Sequence, residues 1–178
     1  MPVFIGIAVQ QLNVLVDKAL ASTLIEGSVS ALNYADKLNS FVQGIIILPI
    51  ITVVYPTISE LAAKEDLNKL NAYIEQSIKI IILLVIPLSA GAMCLSTPIV
   101  RVLFQRGNFD DSAVFLTAGS LFYYSIGMIG IGISSFLAKV FYSMQDTKSP
   151  VIISGIAIVM NIILDLVFSK YMHHKGLA

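Results

Sequence analysis

The sequence predicts an all-α fold, a polytopic membrane helix bundle of about five transmembrane segments, and three observations carry that prediction. Hydrophobic residues make up 57% of the 178 and charged residues 12%, and a mean hydropathy of +0.87 leaves too little polar material to clothe a water-facing surface. The apolar residues come in long runs, and a spanning helix needs roughly 20 of them. The breaks between runs are short, so five spans and their connections use up the chain as a single membrane unit, with no stretch left for a soluble domain.

The first span is expected over about 3–22 and is the least apolar, interrupted by Gln10, Gln11, Asn13, Asp17 and Lys18. At 3.6 residues per turn Gly6, Gln10, Asn13 and Asp17 fall on one stripe, which cannot face lipid. The second, about 31–58, carries Asn33, Lys37, Ser40 and Gly44 along one face. Its Pro49 and Pro56 remove backbone donors, which predicts a kink and an early end. Residues 60–75 are rich in Lys, Glu and Asn but keep Leu61, Leu67 and Leu70, so they read as a surface loop or a short interfacial helix. A third span, about 78–95, contains Pro87 and is followed by a turn-rich stretch, 96–112. The fourth, about 114–141, exceeds one bilayer crossing, which implies tilt or protrusion; its Gly127, Gly130, Gly132 and Ser134 offer small faces for close helix approach. The fifth, about 150–169, opens at Pro150, a favoured first helical position.

Charge excludes several function classes. The formal net charge is zero and charged residues are scattered, so there is neither a nucleic-acid footprint nor a polybasic lipid anchor. Lys64, Lys69, Lys79, Lys139 and Lys148 belong to one side of the bundle, and Lys18, Lys37, Arg101, Arg106, Lys170 and Lys175 to the other, a balance that fixes no orientation. The single Cys94 cannot pair within the chain and is expected to pack in its apolar helix. His173 and His174 are adjacent, so on a helix they point about 100° apart and form no bidentate metal pair. No hydrolase elbow, phosphate-binding loop or zinc motif occurs, and catalysis has no candidate residues. Met1 is followed by no basic segment or cleavage site, so no signal peptide is expected, and the chain reads as a piece of a larger membrane protein.

The polar exceptions within apolar runs point to function. The first and fifth spans run in the same direction, and Asp17 and Asp165 each lie about 21 to 23 Å along theirs at 1.5 Å per residue, so they reach a common depth. Asn161 and Asp165, four apart, are neighbours on one helix face, with Ser154 on the same stripe. Two carboxylates at one level in the membrane repel unless a proton or cation sits between them. Oxygen ligands suit a hard cation, which makes sodium or a proton the natural guest. The competing reading is structural: Asp17 pairs with Lys18 or Lys37, while Asn161 and Asp165 hydrogen-bond to neighbouring helices. Lys37 likewise has two readings, a cavity-lining cation for an anionic substrate group or a side chain that snorkels to the interface. Arg101 and Arg106 are expected at headgroups, with Arg106, Gly107 and Asn108 forming a loop turn.

Five stretches then bear on family: 31–41 (ALNYADKLNSF), 55–59 (YPTIS), 103–109 (LFQRGNF), 124–127 (YSIG) and 141–150 (FYSMQDTKSP). In order and spacing they resemble the MurJ (MviN) family of lipid II flippases, across essentially the whole chain. The resemblance implies a member of the multidrug/oligosaccharidyl-lipid/polysaccharide exporter superfamily, in which two lobes of six helices alternate access around a central cavity. This chain would supply most of the second lobe, a partial lobe of a MATE-like fold, with the first lobe and the following helices of the same transporter absent. Lys37 falls where the family usually places an Arg proposed to meet the diphosphate of lipid II; Lys keeps the charge but loses the bidentate fork. Val42 replaces a Pro common shortly after it. Asp17, Asn161 and Asp165 match positions that hold sodium in sodium-binding members. The expectation is a cation-coupled transporter of lipid-linked peptidoglycan precursor in the bacterial plasma membrane, surrounded by membrane lipids and binding no nucleic acid. A drug or polysaccharide exporter of the same superfamily, and a non-transporting membrane scaffold or remnant, remain alternatives.

Overall fold

A computed structural model of the chain describes residues 27–172, with side chains described through residue 164. The expected span 3–22, and His173 with His174, lie outside the described residues. Those described form α1 (Ser28–Ala63), α2 (Leu67–Cys94), α3 (Ser96–Phe104), α4 (Asp111–Ser143) and α5 (Lys148–Met172). The all-α expectation holds, and α1, α2 and α4 are each long and apolar enough to cross a membrane.

The helices are longer than the sequence reading allowed. Helix α1 runs through both Pro49 and Pro56 to Ala63, so the early end expected at Pro56 does not occur. Within a bilayer the helix is the one local form that satisfies its own backbone, which keeps the chain helical past a missing donor; Thr52 Oγ1, between the prolines, adds a bond to the carbonyl of Leu48 at 2.8 Å. Residues 60–75, expected as a surface loop or a short interfacial helix, form neither. Their first part completes α1 and their last part begins α2, leaving residues 64–66 as the connection.

That connection is a Schellman turn, with Glu65 N–H donating to Ala62 O at 3.1 Å and Asp66 N–H to Leu61 O at 3.3 Å. Glu65 takes the left-handed conformation (φ 55°). Asp66 then caps α2, its Oδ1 accepting from the Lys69 N–H at 3.2 Å. The α4–α5 connection repeats the device: Gln145 (φ 60°) donates to Tyr142 O, and Asp146 N–H to Phe141 O at 3.0 Å. Asp146 Oδ1 then accepts from the N–H groups of Lys148 and Ser149, both at 3.0 Å.

The first part of the expected turn-rich stretch 96–112 is also helical. Pro98 sits in the first turn of α3, where its missing N–H is harmless. Leu95 alone separates α2 from α3, and it bridges them by donating to Gly91 O and accepting from Ile99 N–H, each at 2.9 Å.

Helix α4 is the common partner, packing on α1, α2 and α3. One core joins Ile47, Ile51, Val54 and Ile58 of α1, Leu70, Ile81 and Val85 of α2, and Met128, Phe136 and Val140 of α4. A second, nearer the start of α1, joins Ala35, Val100, Val114, Ala118 and Leu121. Of the small residues expected at helix contacts, Gly132 makes the close approach: a Cβ there would lie 2.7 Å from Ile47 Cδ1. Positions 127 and 130 have no such neighbour from another helix. Ser89 Oγ donates to the carbonyl of Ser125, tying α2 to α4, and Ser125 Oγ donates to Leu121 O at 2.7 Å. Cys94, expected to pack, is instead exposed as the last residue of α2.

Candidate substrate and cation site

Lys37 lies on the exposed face of α1, together with Ser40 and Gly44, while Asn33 is half-buried and donates from Nδ2 to Val29 O at 2.8 Å. The opposite face, with Ala31, Ala35 and Asn39, is buried against α3 and α4. The polar stripe of the sequence reading is therefore the side of α1 that the described helices leave uncovered. Lys37 does not extend straight outward. Its Nζ stands 5.6 Å from the centroid of the Tyr34 ring, one turn back toward the start of α1.

Tyr34 belongs to an aromatic cluster the sequence did not disclose. Its ring centroid is 4.8 Å from that of Phe104 and 5.4 Å from that of Phe109, which it meets nearly edge-on at 87°. Phe104 ends α3 and Phe109 sits in the following loop, so the cluster fastens the start of α1 to the α3–α4 loop. The spacing of Tyr34 and Lys37 by three residues was a visible signal for their contact; the approach of Phe104 and Phe109 is tertiary and had none.

The loop turns at Gly107 (φ 58°), and Phe109 N–H donates to Arg106 O at 3.1 Å. Asp110 Oδ1 caps α4 by accepting from Ala113 N–H at 2.9 Å. Arg101 is paired with Asp111, the first residue of α4, at 3.1 Å, an acid that also accepts from Gln105 Nε2 at 2.9 Å. Between this loop and the start of α1 opens a cavity of about 710 Å³, lined by Ser30, Tyr34, Arg106, Asn108 and Phe109 among others. Arg106 and Asn108 thus form the expected turn and also face a cavity.

The three cation-site candidates fare differently. Asp17 lies outside the described residues. Asp165 is placed on α5 by its backbone, its side chain lying outside the described set. Asn161 is exposed on α5. Ser154, seven residues earlier and so on nearly the same helix face, lines an apolar groove of about 310 Å³ between α4 and α5, with Ser134, Leu137, Phe141 and Pro150. The stripe carrying Asn161 therefore continues from the groove that faces α4. Among the described residues no group of three or more His, Cys, Asp or Glu stands close enough to hold a metal.

At the two short connections, hydrogen bonds set the carboxyl groups. The Lys69 side chain, hydrogen-bonded to Asp66, holds that carboxyl below its ordinary value of 3.8, assisted by the Lys69 N–H. Asp146 is lowered likewise, first by the Ser149 side chain and then by the Ser149 and Lys148 N–H groups.

Comparison with known proteins gives one answer throughout. The family model described as "Lipid II flippase MurJ" matches residues 1–178. A probable lipid II flippase MurJ of Vibrio cholerae serotype O1 is 37% identical over 99% of this chain and 34% of its own length. The lipid II flippase MurJ of Burkholderia cenocepacia is 30% identical, again over 99% of this chain and 34% of its own length. A solved structure of a lipid II flippase MurJ in an inward closed conformation superposes with a TM-score of 0.88 at 30% identity, covering 99% of this chain and 37% of that one. The chain thus spans about a third of the length of the relatives it matches. The three long apolar helices among the described residues and these likenesses place the chain in the bacterial inner membrane as a multi-pass protein. Because the family's model matches this chain from residue 1 to residue 178, the chain belongs to the lipid II flippase MurJ family.

Proposed function

We propose that the chain forms part of a lipid II flippase, a transporter and not an enzyme, that carries undecaprenyl-diphosphate-linked peptidoglycan precursor across the plasma membrane by alternating access. The carrying observation is the superposition of nearly the whole chain on a MurJ structure at 30% identity. The chain supplies most of one lobe, and a first lobe and further helices complete the cavity. Lys37, on the uncovered polar face of α1, meets the precursor's diphosphate. A compact ammonium binds phosphate as a point charge, without the fork of an Arg. Asp17, Asn161 and Asp165 hold sodium, or a proton at the carboxylates, and cation binding biases one lobe orientation over the other.

The test is complementation. The intact protein that contains this chain is expressed in a bacterium depleted of its own lipid II flippase, and restored growth together with outward movement of labelled lipid II is the expected result. Lys37→Gln is expected to lower that activity, and Lys37→Arg to retain it. Failure of the intact protein to restore growth despite normal membrane levels would reject the function.

A further inference from the structure

Lys37 carries its charge on a long, flexible side chain, and binding phosphate with it costs less conformational entropy where the ammonium is already ordered. The structure supplies that order. Side chains on a helix lean toward its N-terminal end, so the stem of a residue passes over the position three or four before it. For Lys37 that position is Tyr34, whose ring centroid lies 5.6 Å from Nζ, within the range where an ammonium is drawn to the electron-rich face of an aromatic ring. The ring is itself held. Phe104 tilts against it at 48°, Phe109 meets it at 87°, and the two phenylalanines approach each other to 6.0 Å between centroids. These three rings come from α1, the end of α3 and the loop beyond, so the placement of Tyr34 is set by tertiary structure as well as by its own helix.

We infer that Tyr34, clamped by Phe104 and Phe109, is a positioning residue that fixes the Lys37 ammonium for an anionic diphosphate group. The inference rests on the substrate reading of Lys37. It adds that the α3–α4 loop acts on substrate affinity through Tyr34 without touching the substrate. The ring face, and not the phenol hydroxyl, does the positioning, so the contact depends on ring electron density.

The experiment uses the intact protein in nanodiscs, with lipid II as the probe. Phenylalanine, and phenylalanine analogues carrying one, two or three ring fluorines, are placed at position 34. Fluorine withdraws electron density from the ring face while leaving its bulk nearly unchanged. Phe at this position is expected to bind lipid II as Tyr does, with affinity falling stepwise as fluorines are added. Tyr34→Leu is expected to weaken binding about 2- to 5-fold, the size of a cation–π contact at an exposed site. In a Lys37→Gln background the whole series is expected to become flat. A flat series with Lys37 present, or a graded loss that persists in Lys37→Gln, overturns the positioning role and leaves the substrate reading intact. Lys37→Gln that binds lipid II as tightly as the natural protein overturns both.

Discussion

At the scale of single residues, the tightest constraint is the contact between Gly132 and Ile47. A methyl group at position 132 would press on Ile47 Cδ1 at 2.7 Å, with Ile81 Cγ2 at 3.7 Å behind it. The clashing atom is the far end of a flexible side chain, so Gly132→Ala is expected to destabilise by about 1 kcal/mol, at the low end for overpacking. Ile47→Val removes that Cδ1 and is expected to recover most of the loss in the double variant, read as thermal unfolding in detergent. The sequence pointed to a small-residue face on this helix but not to the member that matters, because Gly127, Gly130 and Gly132 look alike until the crossing point is known. Lys37 is a similar case: its polar stripe was legible from spacing, whereas the aromatic clamp beside it depends on Phe104 and Phe109 arriving from elsewhere in the chain.

At the scale of elements, the two connections in which Asp66 and Asp146 cap the next helix explain why helix ends were misjudged. Helices commonly stop at glycine, which takes the left-handed conformation without steric cost. Here Glu65 and Gln145 occupy that position, so the usual stop signal is missing, and the sequence leaves 60–75 as a surface loop or a short interfacial helix. Both residues carry the steric penalty of the left-handed region, which is about 1 kcal/mol or more for a residue with a Cβ. Gln145→Gly is therefore expected to stabilise the intact protein by about 1 kcal/mol, measured as a rise in its unfolding midpoint, whereas Gln145→Val should lower it. The capping acids add a pH dependence of determined sign. Asp66 and Asp146 are depressed below the ordinary value of 3.8; their contribution is fully present above that value and is lost as pH falls through the lower folded-state one. Amide-exchange protection of Lys148 and Ser149 is expected to drop on that acid side, and Asp146→Ala should abolish the pH dependence.

At the scale of the whole molecule, composition alone fixed the class of fold, because the hydrophobic content and run lengths admit few alternatives to a membrane bundle. The signature stretches carried the family, and the match of the family's model over residues 1–178 bears that out. The order of packing, with α4 as the shared neighbour, was not legible, since apolar periodicity says which residues avoid water and not which helix they meet. The proposed cation coupling belongs at this scale, because it joins the first span to α5. Asp165→Ala in the intact protein is expected to lower transport and abolish its sodium dependence, measured by lipid II movement with and without a sodium gradient; unchanged sodium dependence would count against it. The brevity of the connection at residues 64–66 bears on how the molecule sits in its membrane. Two spanning helices tethered so closely return to the face they set out from, so Glu60, Lys64, Glu65, Asp66 and Lys69, gathered around the tip, are all held at one face of the bilayer.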